Sequence, residues 1–153
     1  MLLAIDGQNS NGAIASSEII NVDTTVNCSF TSYPFAVYRH ASSATSDGIV
    51  TCGGYDGSQY LNTCKKLTKQ GSWDTFPDMN SKRNYFGLRM VDGLLWAVGG
   101  YNGRDTMEYI DPENPTEWSQ QTMPFSVHSH CLTELSRKHL IVTGGTADSG
   151  VSK

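Results

Sequence analysis

Val98-Gly99-Gly100-Tyr101-Asn102-Gly103 decides how this chain is read, because it recurs. Cys52-Gly53-Gly54-Tyr55-Asp56-Gly57 stands 46 residues before it, and Thr143-Gly144-Gly145 carries its core 45 residues after it. Ile5-Asp6-Gly7, 47 residues ahead of the first full copy, reads as a worn version. Self-similarity at a fixed period of this length marks a repeat architecture, in which each unit buries its apolar face only against a neighbour. Such scaffolds chiefly present surfaces for binding, so the repeat bounds the function as well as the fold.

Aligning on the double glycine brings further columns into register. Trp73 and Trp118 lie 45 residues apart, and Pro34-Phe35-Ala36-Val37 and Pro124-Phe125-Ser126-Val127 lie two periods apart. Arg39 and Arg83 fall in one column, with Ser129 next in it. Each period reads as four short strands, a to d. Strand a is expected over 40–45, 84–91 and 130–135. Strand b is the apolar run 48–52, 94–98 or 140–143. Strand c covers 18–22, 63–67 or 107–111, and strand d carries the tryptophan, with Cys28 in its place in the earliest period. Asp47-Gly48 and Asp92-Gly93 are hairpin signals between a and b. Leu94-Leu95-Trp96-Ala97-Val98 is the near-continuous apolar run of a strand buried on both faces. No segment sustains a 3.6-residue period, so almost no helix is expected. Four strands per 45 or so residues describe one blade of a β-propeller, with blades stacked face to face and the tryptophans between them. The double glycines suit a strand end where backbones approach too closely for a Cβ.

Composition excludes several function classes. The 153 residues carry 15 acidic and 11 basic side chains, a net charge of −4, with no basic run longer than Lys65-Lys66. That is not the footprint of a nucleic-acid binder. No apolar run approaches the roughly 20 residues of a membrane span. Met1-Leu2-Leu3-Ala4-Ile5 is shorter than the ~7–15 apolar residues of a secretory signal core and follows no basic segment, so it reads as a strand entered part-way.

An apolar run, Gly-Gly, Tyr, Asp or Asn, Gly, then a strand and a Trp resembles the kelch repeat. The stretch from Val91 to Gly103, followed by Met107-Glu108-Tyr109-Ile110-Asp111-Pro112 and Trp118, matches best. Asp6 in place of a glycine, Cys28 in place of the tryptophan, and Lys65 in a usually apolar outer-strand column depart from the pattern. The resemblance implies an all-β, galactose oxidase-like fold: a partial kelch-type propeller of four-stranded antiparallel blades. It covers the chain as a partial blade over 1–34, blades over 35–79 and 80–124, and a partial blade over 125–153. Kelch rings usually close with about six blades, within the range for propellers. The sequence therefore reads as about half a ring, with the remaining blades expected from flanking sequence and bare blade faces expected to make the isolated chain unstable.

The resemblance also implies where a partner would bind. In kelch propellers the b–c loops and the turns before strand a form one face around the central channel. Carried over by residue, that face comprises Tyr55, Asp56 and Gln59, then Tyr101, Asn102 and Arg104, and Tyr85 on strand a. Tyrosine and arginine anchor interfaces well, offering large contact area with a polar tip. Arg39 and Arg83 are read as structural, each able to satisfy several loop carbonyls.

No catalytic motif stands out. His128 and His130 would share a strand face, yet no third ligand has suitable spacing, and His40 shares the His130 column, so no metal site is assigned. No Cys-x-x-Cys occurs among Cys28, Cys52, Cys64 and Cys131. Cys52 ends strand b and Cys64 lies in strand c of the same blade, adjacent strands that could bring the two within bridging distance; four unpaired thiols in a cytosolic protein are the alternative. Asn27-Cys28-Ser29 is a glycosylation sequon, relevant in a secreted protein. A cytoplasmic and an extracellular location both stay open. The reading is a non-enzymatic module without cofactor that binds a peptide or protein, a role the family resemblance extends to substrate receptor of a ubiquitin ligase. The alternatives are a secreted kelch protein with an adhesive or glycan-related role and a galactose-oxidase-like copper enzyme.

Overall fold

The computed structural model describes residues 2–20, 27–29 and 31–147, and every regular element among them is a strand. β1 (Leu2–Asn9), β2 (Gly12–Ile20) and β3 (Asn27–Ser29) form a three-stranded antiparallel sheet. β4 (Ala41–Ala44), β5 (Gly48–Cys52), β6 (Cys64–Thr68) and β7 (Trp73–Phe76) form the second, a four-stranded antiparallel meander. β8 (Gly87–Val91), β9 (Leu94–Val98), β10 (Thr106–Ile110) and β11 (Ser119–Thr122) repeat it. β12 (Cys131–Ser136) and β13 (His139–Thr143) pair as the inner two strands of a fourth unit. The sheets are propeller blades one to four, and the innermost strands β4, β8 and β12 pack successively on one another.

The apolar inner strands build the core where one blade faces the next. Val50 and Cys52 on β5 meet Leu88, Leu95, Ala97 and Ile110 of blade three, with Phe76, Met79, Phe86 and Trp118 completing the cluster. Complete burial of a side chain such as Leu95 contributes about 1.5–3 kcal/mol. A second cluster, Val98, Met123 and Val127 with Trp96, Leu132 and Leu140 against it, joins blades three and four. Each blade also reaches back by a tryptophan. Trp73 Nε1 donates to the Thr31 carbonyl at 3.1 Å, and Trp118 Nε1 to the Pro77 carbonyl at 2.8 Å, both beyond the last strand of the preceding blade.

The double glycine earns its place twice. Gly53 and Gly99 adopt φ of 65° and 62°, the left-handed region. A Cβ at Gly53 would lie 2.5 Å from the Arg83 carbonyl oxygen, and one at Gly99 the same distance from that of Val127. Each glycine pair thus ends an inner strand under the incoming chain of the next blade, and Gly54 and Gly100 donate to those same two carbonyls.

Those bonds also correct one column of the alignment. Gly54 N–H bonds Arg83 and Gly100 N–H bonds Val127, so Arg83 is equivalent to Val127, and by the Pro34–Val37 match to Val37. Arg39 instead aligns with Tyr85 and Ser129. All three have positive φ (62°, 54° and 55°), and they are linked in series: Tyr85 N–H donates to the Arg39 carbonyl and Ser129 N–H to the Tyr85 carbonyl. The two arginines coincide in residue type and not in place.

Two further expectations shift. Asp92-Gly93 makes the hairpin turn with φ of 51° and 78°, but Gly48 is already on β5, where a Cβ would meet the Leu67 carbonyl oxygen at 2.1 Å. In blade one, Asp6-Gly7 does not end the inner strand. β1 bulges between Ile5 and Gly7 and runs on to Asn9, turning at Ser10-Asn11 into β2, which starts at Gly12 and not near residue 18. A tight hairpin, with Asn11 N–H bonded to Asn9 Oδ1, replaces the long b–c loop.

Candidate functional site

The b–c loops of blades two and three, and the turns leading into β4, β8 and β12, emerge at the same strand ends. Tyr38 and Tyr55 exchange backbone hydrogen bonds (3.1 and 2.9 Å), and Tyr101 N–H donates to the Asn84 carbonyl at 2.8 Å. His128 occupies the corresponding place in blade four and pairs with Thr146. Each turn is therefore stitched to its own blade's loop, and the side chains at these positions fall into line.

The result is a row of rings crossing three blades. Tyr38 meets Tyr55 edge-on with centroids 5.5 Å apart, Tyr55 meets Tyr60 at 5.2 Å, Tyr60 meets Tyr101 at 6.2 Å, and Tyr101 meets His128 edge-on at 5.4 Å. Guanidinium groups cap it. Arg39 lies over both Tyr38 (4.8 Å) and Tyr85 (4.6 Å), and Arg104 lies over Tyr101 at 4.5 Å. Such cation–π contacts contribute about 0.5–1 kcal/mol each where exposed. Tyr85 and Tyr101 remain 39% and 45% exposed, among the few large apolar side chains that stay open to solvent.

The expected residues fall into three kinds. Tyr85, Tyr101 and Asn102 are exposed, with Arg104 half-buried beside them, its Nε–H bonded to the Tyr101 carbonyl. Tyr55 is half-buried and spends its hydroxyl on the Gly57 carbonyl. Asp56 is turned into its own loop: one carboxylate oxygen accepts from Ser58 N–H (2.7 Å), Ser58 Oγ (2.8 Å) and Gln59 N–H (2.8 Å). Those backbone and hydroxyl donors pull its pKa down to about 2. Gln59 is exposed and accepts from Lys82 Nζ at 3.4 Å.

Tyr38, Arg39, Tyr60 and His128 are the parts of the row that the sequence reading left out. One signal was available. The match of Pro34–Val37 with Pro124–Val127 extends by one column to Tyr38 and His128. Arg39, read as structural, is exposed and stacked on tyrosines, whereas Arg83 is fully buried, bonding the Gly99, Gly103 and Thr106 carbonyls and pairing with Glu108 at 2.8 Å.

Cys52 and Cys64, directly opposite each other on β5 and β6, are joined as a disulfide with Cα atoms 4.1 Å apart, and both are fully buried. Cys131 is an exposed free thiol. Asn27 and Cys28 lie on β3, and their side chains are outside the described residues. Among the described residues no group of three or more His, Cys, Asp or Glu could hold a metal, and no helix is long and apolar enough to cross a membrane.

No family model matches the chain. Curated relatives do. Kelch-like protein 33 of Homo sapiens is 26% identical over 74% of the chain, and Kelch-like protein 8 of Mus musculus is 40% identical over 42%. Kelch repeat and BTB domain-containing protein 2 of cowpox virus (strain Brighton Red) is 24% identical over 84%. The matched stretches are 22%, 11% and 24% of those relatives' lengths, so the chain spans less than a quarter of each. The recurring double glycine and the four-stranded antiparallel blades are the features the chain shares with these kelch-repeat proteins.

Proposed function

We propose that this chain is a protein-interaction module that binds a peptide or protein through the aromatic row on its b–c loop face, without catalysis. The observation that carries the reading is the row itself: five rings from Tyr38 to His128, with Arg39 and Arg104 stacked upon it, on a backbone already fixed by hydrogen bonds. Rings held in place before binding lose little freedom on binding, which favours affinity. Tyrosine and arginine are the residue types that dominate interface energetics.

Selection of peptides from a displayed library on the full chain tests this. Bound peptides are expected to lose at least about tenfold in affinity on Tyr101→Ala or Arg39→Ala, a hot-spot loss of ~1.4 kcal/mol or more. Lys69→Ala, at the opposite strand ends beyond β6, is expected to leave affinity unchanged. Equal binding by all three variants would sink the assignment of this face.

A finer proposal is that the module receives substrates for a cullin-type ubiquitin ligase. It is supported by the viral relative, whose name couples kelch repeats with a BTB domain. Recovery of a cullin with the protein from its natural source is the expected result, and its consistent absence would remove this reading. The Cys52–Cys64 bridge favours a second reading, a secreted kelch protein. That reading requires a glycan on Asn27 or an extracellular pool of the protein, and mass spectrometry of natural material decides it.

A further inference from the structure

The disulfide stands at a particular point in the repeat. In blade two, Cys52 opposite Cys64 closes the base of the b–c loop, and Gly53 N–H then bonds the Thr63 carbonyl. In blade three the same two positions are Val98 opposite Met107, and Gly99 N–H bonds the Thr106 carbonyl. One blade closes its loop with a covalent bond and the other with an apolar contact, on the same backbone. The bridged loop is the longer one. Cys52 and Cys64 are 12 residues apart, Val98 and Met107 only 9. A longer loop costs more entropy to order. The loop so closed carries Tyr55, Asp56, Gln59 and Tyr60, including the two rings in the middle of the aromatic row.

We infer that the Cys52–Cys64 bridge is a redox-controlled clamp on the 53–63 loop, setting the order of the loop and not the folding of its blade. Blade three shows that this backbone folds without a bond at this place. Two thiols are small and apolar enough to stay packed in the Val50–Leu95 core. Reduction therefore keeps the sheet and frees the loop. Both sulfurs are fully buried, so a reductant reaches them only when the loop opens.

The chemistry is thiol–disulfide exchange with a dithiol reductant. Its thiolate attacks one cysteine sulfur, breaking the Cys52–Cys64 bond and expelling the other cysteine as a thiolate that takes up a proton. Its second thiolate then displaces the first cysteine. Two electrons and two protons pass to the blade, and the reductant leaves as a disulfide. Oxidation is the reverse, driven by a small-molecule disulfide. The consequence for partner binding rests on the binding face proposed above. Amide exchange is read without a partner, so the two ideas fail separately.

The test is hydrogen exchange on the full chain, oxidised with glutathione disulfide or reduced with dithiothreitol. The bridge is first verified by alkylation and mass spectrometry. On reduction, the Gly53, Tyr55 and Leu61 amides are expected to exchange more than about tenfold faster. Gly99, Tyr101 and Thr106, hydrogen-bonded amides of the blade-three loop, are expected to stay unchanged. Cys52→Val with Cys64→Met, which installs the blade-three pair, is expected to keep its fold and lose all response to the reductant. Three results overturn the inference: free thiols at both positions after oxidation, equal exchange in the two states, or loss of protection in both loops together. The last would make the bridge a support of the whole fold.

Discussion

Arg83 is fully buried, its guanidinium shared between Glu108 and the carbonyls of Gly99, Gly103 and Thr106. Burial pulls its pKa below the ordinary value, and the facing Glu108 pulls it back. Glu108 in turn accepts from the Asn80 and Ser81 amides, so removing either partner strands a charge among backbone dipoles. Arg83→Met is expected to cost about 3–5 kcal/mol in urea unfolding, whereas Arg39→Ala, which gives up two exposed cation–π contacts, should cost about 1–2 kcal/mol. That contrast between a buried ion pair and an exposed stacked cation was hidden in the sequence, where only the backbone bonds of the glycine pairs separate the two arginine columns. His130 gives a pH test. Burial, and then the charge of His128, hold its pKa below 6.5. The unfolded chain therefore takes up this proton at a higher pH than the folded one. The stability of the neutral ring is whole above about pH 6.5 and drains away as pH falls towards the depressed value. His130→Phe, which copies Phe86 of the same column, is expected to flatten the change in urea midpoint between about pH 5 and 7.

Strands were more legible than loops. The inner strands β5 and β9 run where the apolar stretches 48–52 and 94–98 end in Gly-Gly, because both faces of such a strand are covered and the glycines mark a backbone crossing. Blade one was misread at its loop. A worn Gly-Gly with Asp6 gives no crossing, and the Ser10-Asn11 pair that turns the hairpin instead lies outside the repeat's pattern. The aromatic row was half legible, since tyrosines after the glycines belong to the repeat, while Tyr60 and Tyr38 come into line only when loop and turn are paired across the blade. Gly99→Ala tests the crossing at the level of the element. Its left-handed φ and the 2.5 Å approach of the Val127 carbonyl are expected to cost at least the ~1–3 kcal/mol of a strained backbone residue. The melting midpoint of the full chain reads it, with the cost concentrated at the junction of blades three and four.

Across the whole molecule the blades form a series in which each unit contacts its neighbours. Blade four contributes β12 and β13, and beside them Val91, Leu94, Trp96, Met107 and Leu140, with Asp92 and Lys138, line a mainly apolar cleft of about 350 Å³. Open apolar surface next to a strand edge recruits other chains. The 153-residue chain is therefore expected to bind a dye such as ANS and to elute at a size that grows with concentration. A sharp monomer peak with one steep unfolding transition would contradict this. Nearest-neighbour arrays need not melt at once, and the indole bonds described above give a means of watching them. Trp73 is tied to the carbonyl of blade one, Trp118 to that of blade two, and Trp96 packs where blade three meets blade four. The three indoles are thus built-in optical gauges, one per junction. Replacing them in pairs by phenylalanine would leave proteins whose fluorescence reports, junction by junction, the order in which the series comes apart.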